Sequence, residues 1–168
     1  PLFPVPRLAT TPAADAAGRH LCHRVAFRDR LPLPGDRATI GRLPLPGSAA
    51  AREDGADVFR PFAETEAWNF QQGAMLQWLA SPPDTCIYNT FEEGRLGSCV
   101  HDIRTGVRRR LPLPVANVAR DGKKALCINM ARLHDFRPGY GYEETADLWK
   151  DVAAPEDDGV FLMDLDSG

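Results

Sequence analysis

The chain has 168 residues, 43% of them apolar, and its 20 Lys and Arg against 23 Asp and Glu leave a net charge of −3. A single domain-sized core is within reach, whereas the charge gives no electrostatic footprint for nucleic acid and no apolar run approaches the ~20 residues of a membrane span. Fourteen Gly and fifteen Pro exceed ordinary usage, which favours short strands and turns over long helices.

In chain order, a Pro-rich start leads to the turn Asp15-Ala16-Ala17-Gly18-Arg19 and a β-like run at Leu21-Cys22-His23-Arg24. Ala38–Gly47 alternates with period two and closes on glycine, as a half-buried strand does. Strands are then expected at Glu64–Trp68 and Leu76–Leu79, around the loop Trp68–Gly73. The turn Ser81-Pro82-Pro83-Asp84 opens Thr85-Cys86-Ile87-Tyr88-Asn89, and Gly97–Gly106 follows. Arg108–Leu111 and Ala116–Val118 are expected as the first two strands of a last unit. The turn Arg120-Asp121-Gly122-Lys123-Lys124 starts the run Leu126-Cys127-Ile128-Asn129. Residues 131–158 form a connection far longer than the usual four to six, with a short helix expected at Glu144–Val152 and ended by Pro155. Gly159–Gly168 is the final strand. Leu-Pro-Leu-Pro recurs at 31–34, 43–46 and 111–114 and reads as an edge or connector signature.

Two recurrences organise these elements. Cys22, Cys86 and Cys127 each sit just inside a strand that follows a tight turn. Asp-(Ile/Leu)-x-(Thr/Ser)-Gly recurs at Asp102 and Asp164, 62 residues apart. No C-x-x-C occurs, so the four cysteines read as buried thiols rather than metal ligands, which points to a reducing, cytoplasmic compartment. Four strands in roughly 60 residues, repeated, is the period of β-propeller blades. The expected fold is all-β, a partial propeller of about two complete four-stranded blades plus part of a third. Residues 1–47 are its partial first blade, 48–106 the second, and 107–168 the third, carrying the inserted loop 131–158. Such a piece exposes blade faces and strand edges, so the remaining blades of a longer chain are its expected partners, and in their absence it should associate.

Arg120-Asp121-Gly122-Lys123-Lys124-Ala125-Leu126 resembles the S-P-D-G-K-x-(I/L) turn of WD40-like propeller repeats of the TolB type. Val160–Gly168 resembles the I-(W/Y)-x-x-D-x-x-(T/S)-G strand that follows it in those repeats, which also build the oligogalacturonate lyases. The resemblance covers residues 60–168 well and 15–47 faintly, with Ala119-Arg120 standing where the motif has Ser-Pro. It speaks for the blade and is silent on activity.

Nucleophile and phosphate signatures are missing: there is no G-x-S-x-G, only four serines, and no Gly-rich phosphate loop. Blade topology instead gathers loops on one face, where Trp68, Asn69, Gln71, Gln72, Arg132, His134, Arg137, Tyr140 and Tyr142 are expected to meet, with Arg28 and Arg30 nearby. Guanidinium groups fork carboxylates and aromatic rings stack on sugars, so the set suits a small-molecule or oligosaccharide ligand that is acidic or polyhydroxylated. Each also has a structural role open to it: Trp68 as core, the amides as backbone partners, and Arg132 and Arg137 as braces to Asp135, Glu143 or Glu144. The leading expectation is a non-catalytic binding propeller without cofactor, membrane or nucleic-acid partner. The alternative, implied by the resemblance, is a polysaccharide lyase working by β-elimination with manganese or calcium, whose ligand set matches none of the four histidines here.

Overall fold

The structure, a computed structural model, describes residues 2–4, 14–54 and 58–168, so most of the Pro-rich start lies outside the described residues. Strands β1 (Leu2–Pro4), β2 (Arg19–Arg24), β3 (Ala38–Pro44) and β4 (Arg60–Thr65) form one antiparallel sheet in that order, sheet A. Strands β5 (Gln77–Trp78), β6 (Thr85–Glu92), β7 (Arg95–Asp102) and β8 (Arg108–Leu111) form sheet B. Strands β9 (Val115–Val118), β10 (Lys124–Ile128) and β11 (Val160–Asp164) form sheet C. The chain is all-β, built of three successive antiparallel meanders, none of them closed. Among the described residues helices are confined to α1 (Ala49–Asp54) and α2 (Met130–Phe136), and neither is long and apolar enough to cross a membrane.

The sheets stack face to face in sequence order. Leu21, Ala38 and Ile40 of sheet A meet Trp78, Cys86, Tyr88 and Cys99 of sheet B in one cluster. On the other face of sheet B, Ile87 and Leu111 meet Val115, Val118, Ala125, Cys127 and Met163 of sheet C. Sheet B is thus buried from both sides. That is why β6 is continuously buried from Thr85 to Thr90 and its sequence shows no polar alternation. The thiols are all free and buried. Cys86 and Cys127 point back toward the preceding sheet, and Cys22 lies on the face of sheet A opposite Leu21, but their registers differ: Cys86 pairs with His101, one residue before Asp102, and Cys127 with Phe161, three before Asp164. Burial alone pushes the Cys22 thiol up to about 12 and the Cys127 thiol to about 11, which keeps both protonated and inert near neutrality.

Two expectations are corrected. The repeat boundary moves by one strand: β4 pairs with β3, and β8 pairs with β7 from Ser98↔Leu111 to His101↔Arg108. The three-stranded sheet is therefore the C-terminal one, and the sheets span 2–65, 77–111 and 115–164. The cause is the turn at Asp102, whose Oδ1 accepts from Arg104 N (2.9 Å) and Thr105 N (3.0 Å) and sends the chain straight back along β7. The second correction concerns the helix. It forms at Met130–Phe136, where the Asn129 side chain caps it by accepting from Arg132 N at 3.0 Å. Residues 144–152 form bends and turns instead. There the Asp147 carboxylate is drawn into a buried pairing with Arg132 and caps Trp149 N at 3.1 Å.

Candidate binding face

The meander order sorts the connections to two ends of the strands. One end holds the β2–β3 loop (25–37), the crossing from sheet A to sheet B (66–76), the β6–β7 turn and the β10–β11 connection (129–159). Trp68–Gly73 therefore joins two sheets rather than two strands of one blade, and the long insertion lies between the second and third strands of its sheet. Both corrections leave these loops at the same end.

A network of buried polar groups ties that end together. Asn69 accepts at Oδ1 from Gln71 N (3.0 Å) and Gln72 N (2.7 Å), and donates at Nδ2 to Tyr140 O (2.8 Å). Asn89, fully buried, donates to Val115 O (2.9 Å) and Tyr142 Oη (3.0 Å) and accepts from Val115 N (2.7 Å). The Tyr142 hydroxyl donates on to Gly73 O at 3.2 Å. His23, from β2, accepts at Nε2 from Ala74 N at 3.2 Å, and full burial lowers its imidazole to about 4, so it stays neutral and keeps this acceptor. Gly73 is required here: its φ is +63°, and a Cβ would collide with the His23 ring. Gly141 is likewise held, since a Cβ would strike Met130 O and His134 N. All three sheets thus meet through hydrogen bonds between residues 26 to 71 apart in sequence.

The nine expected residues divide between this network and the surface above it. Trp68, Asn69 and Tyr142 are buried. Trp68 donates from Nε1 to Asp36 O (2.9 Å) and packs against Phe27 and Phe70, so it is core. Arg132 is committed within the insertion, to Asp147 (3.1 Å), Trp149 O (2.8 Å) and Val152 O (2.9 Å), so the brace it finds is Asp147 rather than Asp135, Glu143 or Glu144. Arg30 lies over Phe27 and pairs with Asp36 at 2.5 Å. At the surface remain Gln71 and Arg137, exposed, with Gln72, His134 and Tyr140 half-buried, while Arg28 is exposed on the β2–β3 loop. Arg137 covers the Tyr140 ring at 4.1 Å from its centroid, presenting a cation and an aromatic edge together.

Glu144 is the group that sequence reasoning placed wrongly, as the start of a helix. Its carboxyl is largely buried, and Oε2 has no hydrogen-bond partner among the described residues. Burial first, with Glu66 and Glu143 adding repulsion, raises it to about 7. It borders a void of about 10 Å³, about one water's worth, beside Asn69, His134 and Gly141. Nothing in the local sequence marks it, because the burial is supplied by loops from three sheets.

A larger cleft, about 1250 Å³, opens at the opposite strand end, between the turns at 14–17, 80–84 and 119–122 and the outward face of sheet C. Arg19 anchors one wall, paired with Asp15 at 2.5 Å and with Asp84. Its size reflects the bare face of sheet C, and none of the nine expected residues lines it. For the metal implied by the lyase resemblance the fit is poor. His23 and His101 are buried and bonded to Ala74 N and Tyr88 Oη, and no group of three His, Cys, Asp or Glu converges among the described residues. No family model, curated protein or solved structure matches the chain.

Proposed function

We propose that the chain is part of a β-propeller of WD40-like, TolB-type repeats and acts as a binding module for an acidic or polyhydroxylated ligand, an acidic carbohydrate being the best chemical fit. The observation that carries this reading is the Arg137–Tyr140 pair, held on a loop that Asn69 grips by its backbone at Tyr140 O (2.8 Å). A guanidinium over a phenol ring is poised to fork a carboxylate while the ring edge meets a sugar. Gln71, Gln72 and His134 add amide and imidazole groups beside it. A rigid floor under mobile-length side chains limits the ordering cost of binding. Successive antiparallel meanders of four, four and three strands, stacked in chain order, support the propeller part of the reading.

The test is direct binding of polygalacturonate fragments to the wild-type chain and to Arg137→Ala and Tyr140→Ala variants. Each substitution is expected to weaken binding by about 1 kcal/mol or more while the melting temperature stays within a degree or two. Equal loss of fold and affinity would make the pair a brace. Turnover of the polymer that a chelator abolishes would replace this reading with the lyase.

A further inference from the structure

The segment that carries Tyr140 is fastened by its backbone. Asn69 Nδ2 donates to Tyr140 O (2.8 Å) and to Gly141 O (3.3 Å), and Tyr142 N donates to Met130 O (3.1 Å). The residue two places on is held differently. Glu144 Oε2 is buried and meets no hydrogen-bond partner among the described residues. Glu144 shares the walls of the one-water void with Asn69, His134, Gly141 and Glu143. The amide that grips Tyr140 thus borders the same void as the orphaned carboxyl.

The charge around this carboxyl is one-sided. Glu66 opposes its ionisation from the crossing between sheets A and B, and Glu143 does so from its own loop. Glu66 already has a partner in Arg37, at 3.0 Å, whose side chain is exposed. Helix α2 contributes His134 to the void, and the β2–β3 loop contributes Leu31 and Pro32, which carry no charge. The backbone N–H groups of Glu144 and Glu143 favour the carboxylate, but burial is the largest influence and the net effect raises the group to about 7. As a neutral acid it suits a cavity with room for one water. As a carboxylate it is driven toward solvent by desolvation and by two neighbouring acids, and the chain that would follow it is the one Asn69 holds.

We propose that Glu144 is a proton-operated latch on the Arg137–Tyr140 face: protonated, it seats in the void and leaves Asn69 gripping the 140–142 backbone; ionised, it moves toward solvent, admits water and frees Tyr140. The closed state holds a proton that the open state releases, so ligand affinity should fall as pH rises through neutrality. The link to ligand rests on the binding reading above, whereas the motion belongs to the loop itself.

The grip is read from the Asn69 side-chain amide in NMR spectra of the whole chain, from about pH 5.5 to about pH 8.5. Its signals should shift with a midpoint of about 7 in the wild type and keep their low-pH positions in Glu144→Gln. Exchange protection of Tyr142 N–H, corrected for its intrinsic rate, should fall at least about tenfold over that range in the wild type alone. Glu143→Gln, at an exposed position, should move the midpoint down by removing an opposing charge. His134→Gln should leave the transition in place. Affinity for polygalacturonate fragments, whose own carboxylates stay ionised throughout, should drop at least about threefold in the wild type and stay level in Glu144→Gln. An Asn69 amide that does not titrate, a shift without loss of protection, or a transition that survives Glu144→Gln or disappears with His134→Gln would overturn the latch. So would fragment binding that is level with pH in the wild type. If no fragment binds at any pH, the binding reading alone falls, and the Asn69 amide and Tyr142 protection still decide whether the loop is latched.

Discussion

The loop end of the sheets and the outward face of sheet C dispose of their side chains in opposite ways. At the loop end, groups that water would solvate, His23, Asn69 and Asn89, are buried, and each is satisfied by named backbone partners. On sheet C, groups that water rejects, Leu126, Val160 and Leu162, stand 46%, 72% and 63% exposed. The first arrangement gives a defined geometry at the cost of desolvating polar atoms, and it returns that cost only while every bond is made. The second stores binding free energy that is released only when something covers it. Rigidity and stickiness are thus separated in space, which lets the loop face hold its shape without recruiting neighbours.

The separation is broken most severely at Asn89. Its replacement by Ala orphans Val115 N and O in a dry site, each costing about 1–3 kcal/mol, and takes a donor from the Tyr142 hydroxyl, which keeps its bond to Gly73 O. A loss of about 3–5 kcal/mol is expected in urea unfolding. Tyr142→Phe should cost less, about 1 kcal/mol, because Asn89 keeps its two bonds to Val115.

Protonation offers a reversible version of the same experiment. His23 is lowered to about 4 from 6.5, so its contribution is complete above pH 6.5 and is lost as pH falls toward 4, up to about 3 kcal/mol in all. Glu144 runs the other way: raised to about 7 from 4.5, it contributes fully below pH 4.5 and loses that contribution as pH rises toward 7. The two slopes oppose each other between pH 4.5 and 6.5. Glu144→Gln should unmask the histidine, giving stability that climbs steadily from pH 4 to 6.5 and no longer declines toward pH 7. A flat profile in that variant would mean that His23 is protonated in the folded state at little cost.

How much of this was readable beforehand follows from where each signal resides. The cysteine recurrence and the Asp102 and Asp164 turns were legible because they are local: a turn fixes a strand start, and period two fixes a face. Convergence of the loops was legible from topology, and it survived a one-strand error in the repeat boundary because meander connections alternate ends. Assigning Arg108–Leu111 to the wrong sheet came from reading the Asp102 turn as a unit boundary, when its side-chain bonds make it a hairpin. The helix was misplaced because Asn129 is both a cap and a partner of Asp147 and Asp158, and only the folded insertion brings those acids to it. Of the site, Arg137 and Tyr140 were visible as residue types, but the burial of Tyr142, the engagement of Arg132 and the shift of Glu144 are set by residues from other sheets. No window of sequence contains them.

The smallest effect on stability is expected on sheet C, and there its smallness is informative. Leu126→Ser and Leu162→Ser sit opposite each other across β10 and β11, on the face turned away from sheet B. Since the two side chains stand 46% and 63% exposed, each replacement should change unfolding free energy by no more than about 1 kcal/mol. Buried apolar residues such as Ile87, the matching position on sheet B, should lose several times that on the same change. Self-association, followed by light scattering against concentration, should fall in the double variant while the proposed ligand binding through Arg137 is unchanged. A large drop in stability would show instead that the face is already covered in solution, and the contrast between the two regions would then be one of partner, not of exposure.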